Sequence, residues 1–178
     1  MRRKWMVLTA VAVVLMLAPT ASAGEAAASV TITAAVDSFA EWAVAAPAIA
    51  ADAWDDDATI TSVDQAITAT LALTLYANVA TTLTPSSTGT GILTYGTETL
   101  STSYMITGDV TDFDTGYLAA GTASGQFFAT SPANTYTVAH TPGDGSHAIN
   151  LLVKAVSPAD RAPDAGDYIC NVTLTASW

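Results

Sequence analysis

Residues 66–79 read AITATLALTLYANV, and the alternation in this stretch limits the fold more than any other feature. Ile67, Ala69, Leu71, Leu73, Leu75, Ala77 and Val79 fall on one side; Thr68, Thr70, Thr74, Tyr76 and Asn78 fall on the other. A period of two places successive side chains on opposite faces of an extended strand, and threonine at the polar positions favours that conformation. The run is long enough to cross a whole sheet, or to bend at Ala77. No stretch beyond residue 23 keeps a helical period over a useful length.

The same alternation recurs along the chain. SVTITAAV sets Val30, Ile32, Ala34 and Val36 on one face, TLSTSYMIT presents Tyr104 and Ile106, and HAINLLVKAV turns Ile149, Leu151 and Val153 inward. GQFFAT and TYTVAH are shorter strands of the same kind. Clusters of Asp, Gly, Pro and Ser separate them: TPSSTGTG, GDVTDFDTG, TPGDGS and SPADRAPDAGD read as turns. The fold expected is all-β, an antiparallel β-sandwich of about seven to nine strands in one domain. AAPAIAADAWDDDA is the least patterned stretch, either a loop or a short helix starting near Asp52.

Residues 1–23 stand apart. Arg2, Arg3 and Lys4 precede the apolar run WMVLTAVAVVLMLA, and Ala-Ser-Ala precedes Gly24. This is the pattern of a cleaved secretory signal peptide; the apolar run is shorter than the ~20 residues a membrane span needs. The domain then runs from Gly24 to Trp178, with no membrane span after cleavage and a secreted, extracellular or cell-surface location. Only Lys154 and Arg161 remain as basic residues against 16 acidic ones, a net charge of −14. Such a chain does not neutralise nucleic-acid phosphates, and it gains solubility from its charge. One cysteine, Cys170, excludes an internal disulfide, and its place on an apolar strand face points to burial.

The end of the sequence is DAGDYICNVTLTASW. Tyr168, Cys170, Val172, Leu174, Ala176 and Trp178 alternate with polar residues, and only Ile169 breaks the pattern. Asp164, Gly166, Tyr168 and Cys170 match D-x-G-x-Y-x-C, so this segment resembles the approach to strand F of immunoglobulin-like domains. That resemblance implies a tyrosine corner at Tyr168, its hydroxyl bonding to backbone upstream. Only Asn171 to Trp178 follow the cysteine, too few for a further strand, and no partner cysteine exists. A sandwich lacking its last strand resembles bacterial fimbrial subunits and spore coat protein U-like domains. Strand directly after a signal peptide is also similar to matrix-fibre proteins of the TasA and camelysin type. The pilin resemblance implies that the N-terminal segment of one subunit supplies the missing strand of the next. Here 24–36 would be the donor through Val30, Ile32, Ala34 and Val36, and Tyr168, Val172, Leu174 and Trp178 would form the receiving edge. The alternative is that the same segment pairs within its own chain and closes a monomer. Either way the edge needs a cover, because an open edge recruits other chains.

Chemistry-bearing clusters are few. Asp55 and Asp57 in DAWDDDA, and Asp112 and Asp114 in GDVTDFDTG, offer alternating hard oxygen ligands of the kind Ca²⁺ takes, without EF-hand spacing. A solvated acidic loop is the simpler reading of both. His140 and His147 flank TPGDGS and read as exposed loop residues; no zinc-protease spacing exists. No G-x-S-x-G elbow is present, and Cys170 has no histidine near it in sequence. The expectation is a non-enzymatic, cofactor-free structural protein of the cell surface or extracellular matrix. It would assemble with itself, or with other surface proteins, into fibres or pili. The alternative is a secreted monomeric module binding Ca²⁺ or carbohydrate at its loop ends.

Overall fold

A computed structural model describes residues 31, 33–44, 47–49, 54–55, 59–111, 114–122, 127–128 and 135–178. The chain divides into two units, Met1–Asp37 and Ser38–Trp178. In the first, the described residues form no strand, and Ala34 and Val36 are exposed; Val30 and Ile32 lie outside the described residues. Among the described residues the second unit holds ten strands and no helix.

The strands are β1 (Ala40–Trp42), β2 (Ala66–Ala77), β3 (Thr81–Thr88), β4 (Thr94–Tyr95), β5 (Glu98–Thr99), β6 (Ser101–Gly108), β7 (Leu118–Ala119), β8 (Tyr136–Val138), β9 (Ser146–Val156) and β10 (Asn171–Ser177). Every pairing is antiparallel. One sheet has the order β1-β2-β9-β6-β7, a second β10-β3-β8, and β4-β5 is a separate hairpin. The count exceeds the seven to nine expected because β4, β5 and β7 have two residues each, too short for a period of two to show.

The alternation of 66–79 becomes β2, which stops at Ala77 and pairs with β9 from Ala66↔Val156 to Tyr76↔Ser146. On the far side of β9 lies β6, in register from Ser101↔Val156 to Gly108↔Ile149. Gly108 ends β6 with φ +109, and a Cβ there would fall 2.2 Å from the Ala148 carbonyl oxygen, so only glycine fits.

One strand contradicts the sequence reading. TPSS was expected as the start of a turn cluster, yet Thr81–Thr88 is a continuous strand with Leu174 opposite Pro85. Partner β8 reaches only Thr81–Leu83 on the other side. Beyond Leu83 no strand among the described residues pairs with that side of β3, so a residue without an N–H is tolerated there. The turn begins later, at Gly89 with φ +82.

Both larger sheets feed one core. Leu75, Ala77, Tyr104, Ile106, Ile149, Leu151 and Val153 come from the first sheet, and Leu83, Tyr136 and Val138 from the second. Phe127 stacks on Tyr104 at a centroid distance of 4.4 Å and meets Phe128 edge-on at 4.5 Å. Each such side chain contributes about 1.5–3 kcal/mol on burial, which in the absence of a disulfide is the main source of stability. A smaller cluster, Ile67, Leu93, Leu100 and Ala155, packs at the other end of β2.

Candidate functional site

β10 takes the alternation of the sequence directly. Val172, Leu174 and Ala176 are half-buried against the core, while Asn171, Thr173, Thr175 and Ser177 are exposed. Ile169, the residue out of phase, is 60% exposed. Its backbone N–H and C=O pair instead with Thr94, tying the approach of β10 to the β4-β5 hairpin. Trp178 falls just past the strand and is 61% exposed.

The whole length of β10 pairs with β3, from Asn171↔Thr88 to Ser177↔Thr82. Among the described residues no strand pairs with its other edge. In an antiparallel pair every second residue directs both N–H and C=O away from the partner, so this edge carries a row of backbone donors and acceptors. The other sheet edges are blunted by brevity: β1 and β8 have three residues and β7 two. β10 has seven, and its sequence NVTLTAS contains none of the charges or prolines that usually protect an edge.

Beside this edge lies a groove of about 390 Å³. Leu71 and Leu73 of β2 and Leu151 of β9 line it from the first sheet, Asn171–Leu174 from β10, and Trp42, Val44 and Pro47 from the segment that includes β1. The burial of β2 records the same opening. Ile67, Ala69, Leu75 and Ala77 are buried, yet Leu71 and Leu73 between them are only half-buried.

The turn leading into β10 is braced. The Tyr168 hydroxyl donates to the Asp164 carbonyl oxygen at 3.1 Å, four residues upstream. Its ring lies 5.8 Å from that of Tyr95. A Cβ at Gly166 would sit 2.4 Å from the Tyr95 ring, which explains glycine there. Arg161 pairs with Glu98 on β5. Cys170 is half-buried, its Sγ 2.9 Å from the Tyr104 hydroxyl, which itself donates to the Gly91 carbonyl oxygen at 2.6 Å. With the phenol proton on Gly91, the thiol is the donor in that contact. Burial pushes the Cys170 thiol up, so it stays protonated and poorly nucleophilic.

Two of the four acidic candidates lie among the described residues, and both accept hydrogen bonds within the fold. Asp114 Oδ2 accepts from the Ile106 N–H and the Tyr136 hydroxyl, each at 2.8 Å, while the Asp114 N–H donates to the Ile106 carbonyl at 3.0 Å. One residue thus does for β6 what a neighbouring strand would do. Asp55 accepts from the Thr68 hydroxyl at 2.8 Å. Their companions Asp112 and Asp57 lie outside the described residues. Among the described residues no three His, Cys, Asp or Glu side chains converge at metal-binding distance. His147 is not an exposed loop residue but 2% exposed, because β9 already begins at Ser146 and places it in the inward set with Ile149 and Leu151. Its Nδ1 lies 3.9 Å from Asp144 Oδ2.

A second crevice, of about 380 Å³, opens between the 163–168 turn, Trp54, Ile60 and the Leu93–Leu100 hairpin. It went unseen in the sequence because its walls come from four separate segments. No described helix is long and apolar enough to cross a membrane. Comparison with known protein families, curated proteins and solved structures returned no match.

Proposed function

We propose that this chain is a secreted, non-enzymatic structural protein of the cell surface or extracellular matrix that assembles by β-strand addition. The observation that carries the proposal is the long, uncharged edge of β10, which no strand among the described residues pairs, above the half-buried Leu71 and Leu73. The occupant is the segment 24–36 of another copy, its Val30, Ile32, Ala34 and Val36 alternating as a groove-filling strand requires. Backbone hydrogen bonds along β10 provide affinity, and the alternating side chains provide register.

Strand order supports an immunoglobulin-like sandwich. In that fold strands A-B-E-D form one sheet and C-F-G the other. The order β1-β2-β9-β6 follows A-B-E-D, and β3-β10 follows C-F. The position of strand G is then the free edge of β10. The Tyr168–Asp164 hydrogen bond, four residues back along the chain, is consistent with a tyrosine corner of the kind that precedes strand F in immunoglobulin-like domains.

The test uses the chain from Gly24 to Trp178 and a form lacking Gly24–Val36, each examined by size-exclusion chromatography with light scattering and by negative-stain microscopy. The longer chain forms fibres or concentration-dependent oligomers, and the shorter one stays a soluble, less stable monomer. Fibres forming unchanged from the shorter chain, or a stable monomer from the longer, would end the proposal.

A further inference from the structure

The contact surfaces of this assembly and the charge of the molecule are segregated. No residue of β10, of its neighbour β3, or of the groove lining is ionisable. The segment 24–36 holds one ionisable side chain, Glu25, next to the α-amino group of Gly24. Among the described residues most acids lie instead in loops and turns, such as Asp109, Asp144, Asp160, Asp164 and Asp167; the two in strands are Glu41 on β1 and Glu98 on β5. Only Lys154 and Arg161 oppose them after leader removal, and Arg161 is engaged by Glu98.

We infer that ionic strength gates this assembly through the rate at which copies meet, not through an ion held at the joint. The inference rests on the strand-addition reading. Two copies of charge −14 repel over a Debye length, which is about 30 Å at 0.01 M salt and about 8 Å at 0.15 M. At low salt the repulsion extends across a distance comparable to the domain itself; at physiological salt it acts only near contact. Once the strand is seated, the joint consists of backbone hydrogen bonds and apolar side chains, and neither is sensitive to screening. Charges outside a contact act on association, while the contact itself sets dissociation. A divalent cation therefore acts only as part of the ionic strength.

The experiment measures elongation from fixed seeds of the Gly24–Trp178 chain, and the loss of fibre mass on dilution, in low salt, in physiological sodium chloride, and in calcium or magnesium chloride of matched ionic strength. The expected result is an elongation rate rising on the order of a hundredfold from low to physiological salt. The dissociation rate stays flat, and the three salts give one curve. The pair Asp160→Asn and Asp167→Asn, both in exposed turns, raises the low-salt rate. Elongation independent of salt overturns the inference while leaving strand addition intact. Calcium exceeding sodium at equal ionic strength overturns it in favour of a bound ion. No fibres in any salt removes both.

Discussion

Asp114 joins three parts of the molecule through one carboxylate oxygen, and replacing it by alanine separates its structural role from a role in metal binding. Its Oδ2 accepts from the Ile106 N–H on β6 and from the Tyr136 hydroxyl on β8, both at 2.8 Å. Ile106 and Tyr136 are fully buried, so water does not readily replace the lost acceptor. A hydrogen bond to a charged group contributes about 1.5–3 kcal/mol; Asp114 is itself half-exposed, which discounts the pair to about 2–4 kcal/mol together. In a domain of this size that corresponds to a fall in Tm of on the order of 5–15 °C. Asp114→Asn retains one acceptor and falls between the parent and the alanine variant. The assay is urea and thermal unfolding of the Gly24–Trp178 chain, with and without millimolar calcium. If Asp114→Ala lies within about 0.5 kcal/mol of the parent, as an ordinary surface substitution would, the strand-substituting role is wrong. If calcium raises the parent's Tm and the alanine variant loses that rise, the carboxylate is a ligand after all.

Three further outcomes follow from named contacts. Gly108→Ala forces a Cβ against the Ala148 carbonyl at a φ that disfavours side chains, and lowers stability by about 3 kcal/mol or more in urea unfolding; a neutral result would mean that the β6-β9 junction is mobile. Cys170 reacts slowly with a thiol reagent at mildly alkaline pH and rapidly once urea is added, because burial holds its thiol protonated; equal rates would place the sulfur at the surface. Burial also pushes the Tyr104 phenol up, so its contribution to stability is complete below about pH 10 and is lost as the pH rises beyond that, when the unfolded chain ionises first; Tyr104→Phe removes that part of the alkaline decline.

Much of the fold was legible because a half-buried strand writes its burial into a period of two. β2, β6, β9 and β10 follow the sequence pattern residue by residue, with Ile169 out of phase and exposed. β3 was hidden because Pro and Ser normally mark turns; that β8 pairs only Thr81–Leu83 among the described residues, a property of the assembled sheet, fits Pro85 within a strand. His147 opens the expected strand HAINLLVKAV in phase with Ile149, yet its place beside TPGDGS made it read as an exposed loop residue; β9 starts one residue earlier, at Ser146, and holds it in the core. Asp114 was read as a solvated loop residue, with a calcium ligand as the alternative, because a carboxylate in an Asp/Gly loop carries no local sign of which donors will face it.

The sequence by itself determined the all-β character, the inward residues of the long strands and the alternation of the last strand, because each depends on local chain geometry. Only the tertiary structure decided that, among the described residues, β10 pairs with β3 and no other strand, that Leu71 and Leu73 are left half-covered beside it, and that Tyr168 reaches back to Asp164. Those are long-range choices. They are made by which faces bury one another across the whole chain, and an alternating strand has the same local pattern whether its edge is paired or open.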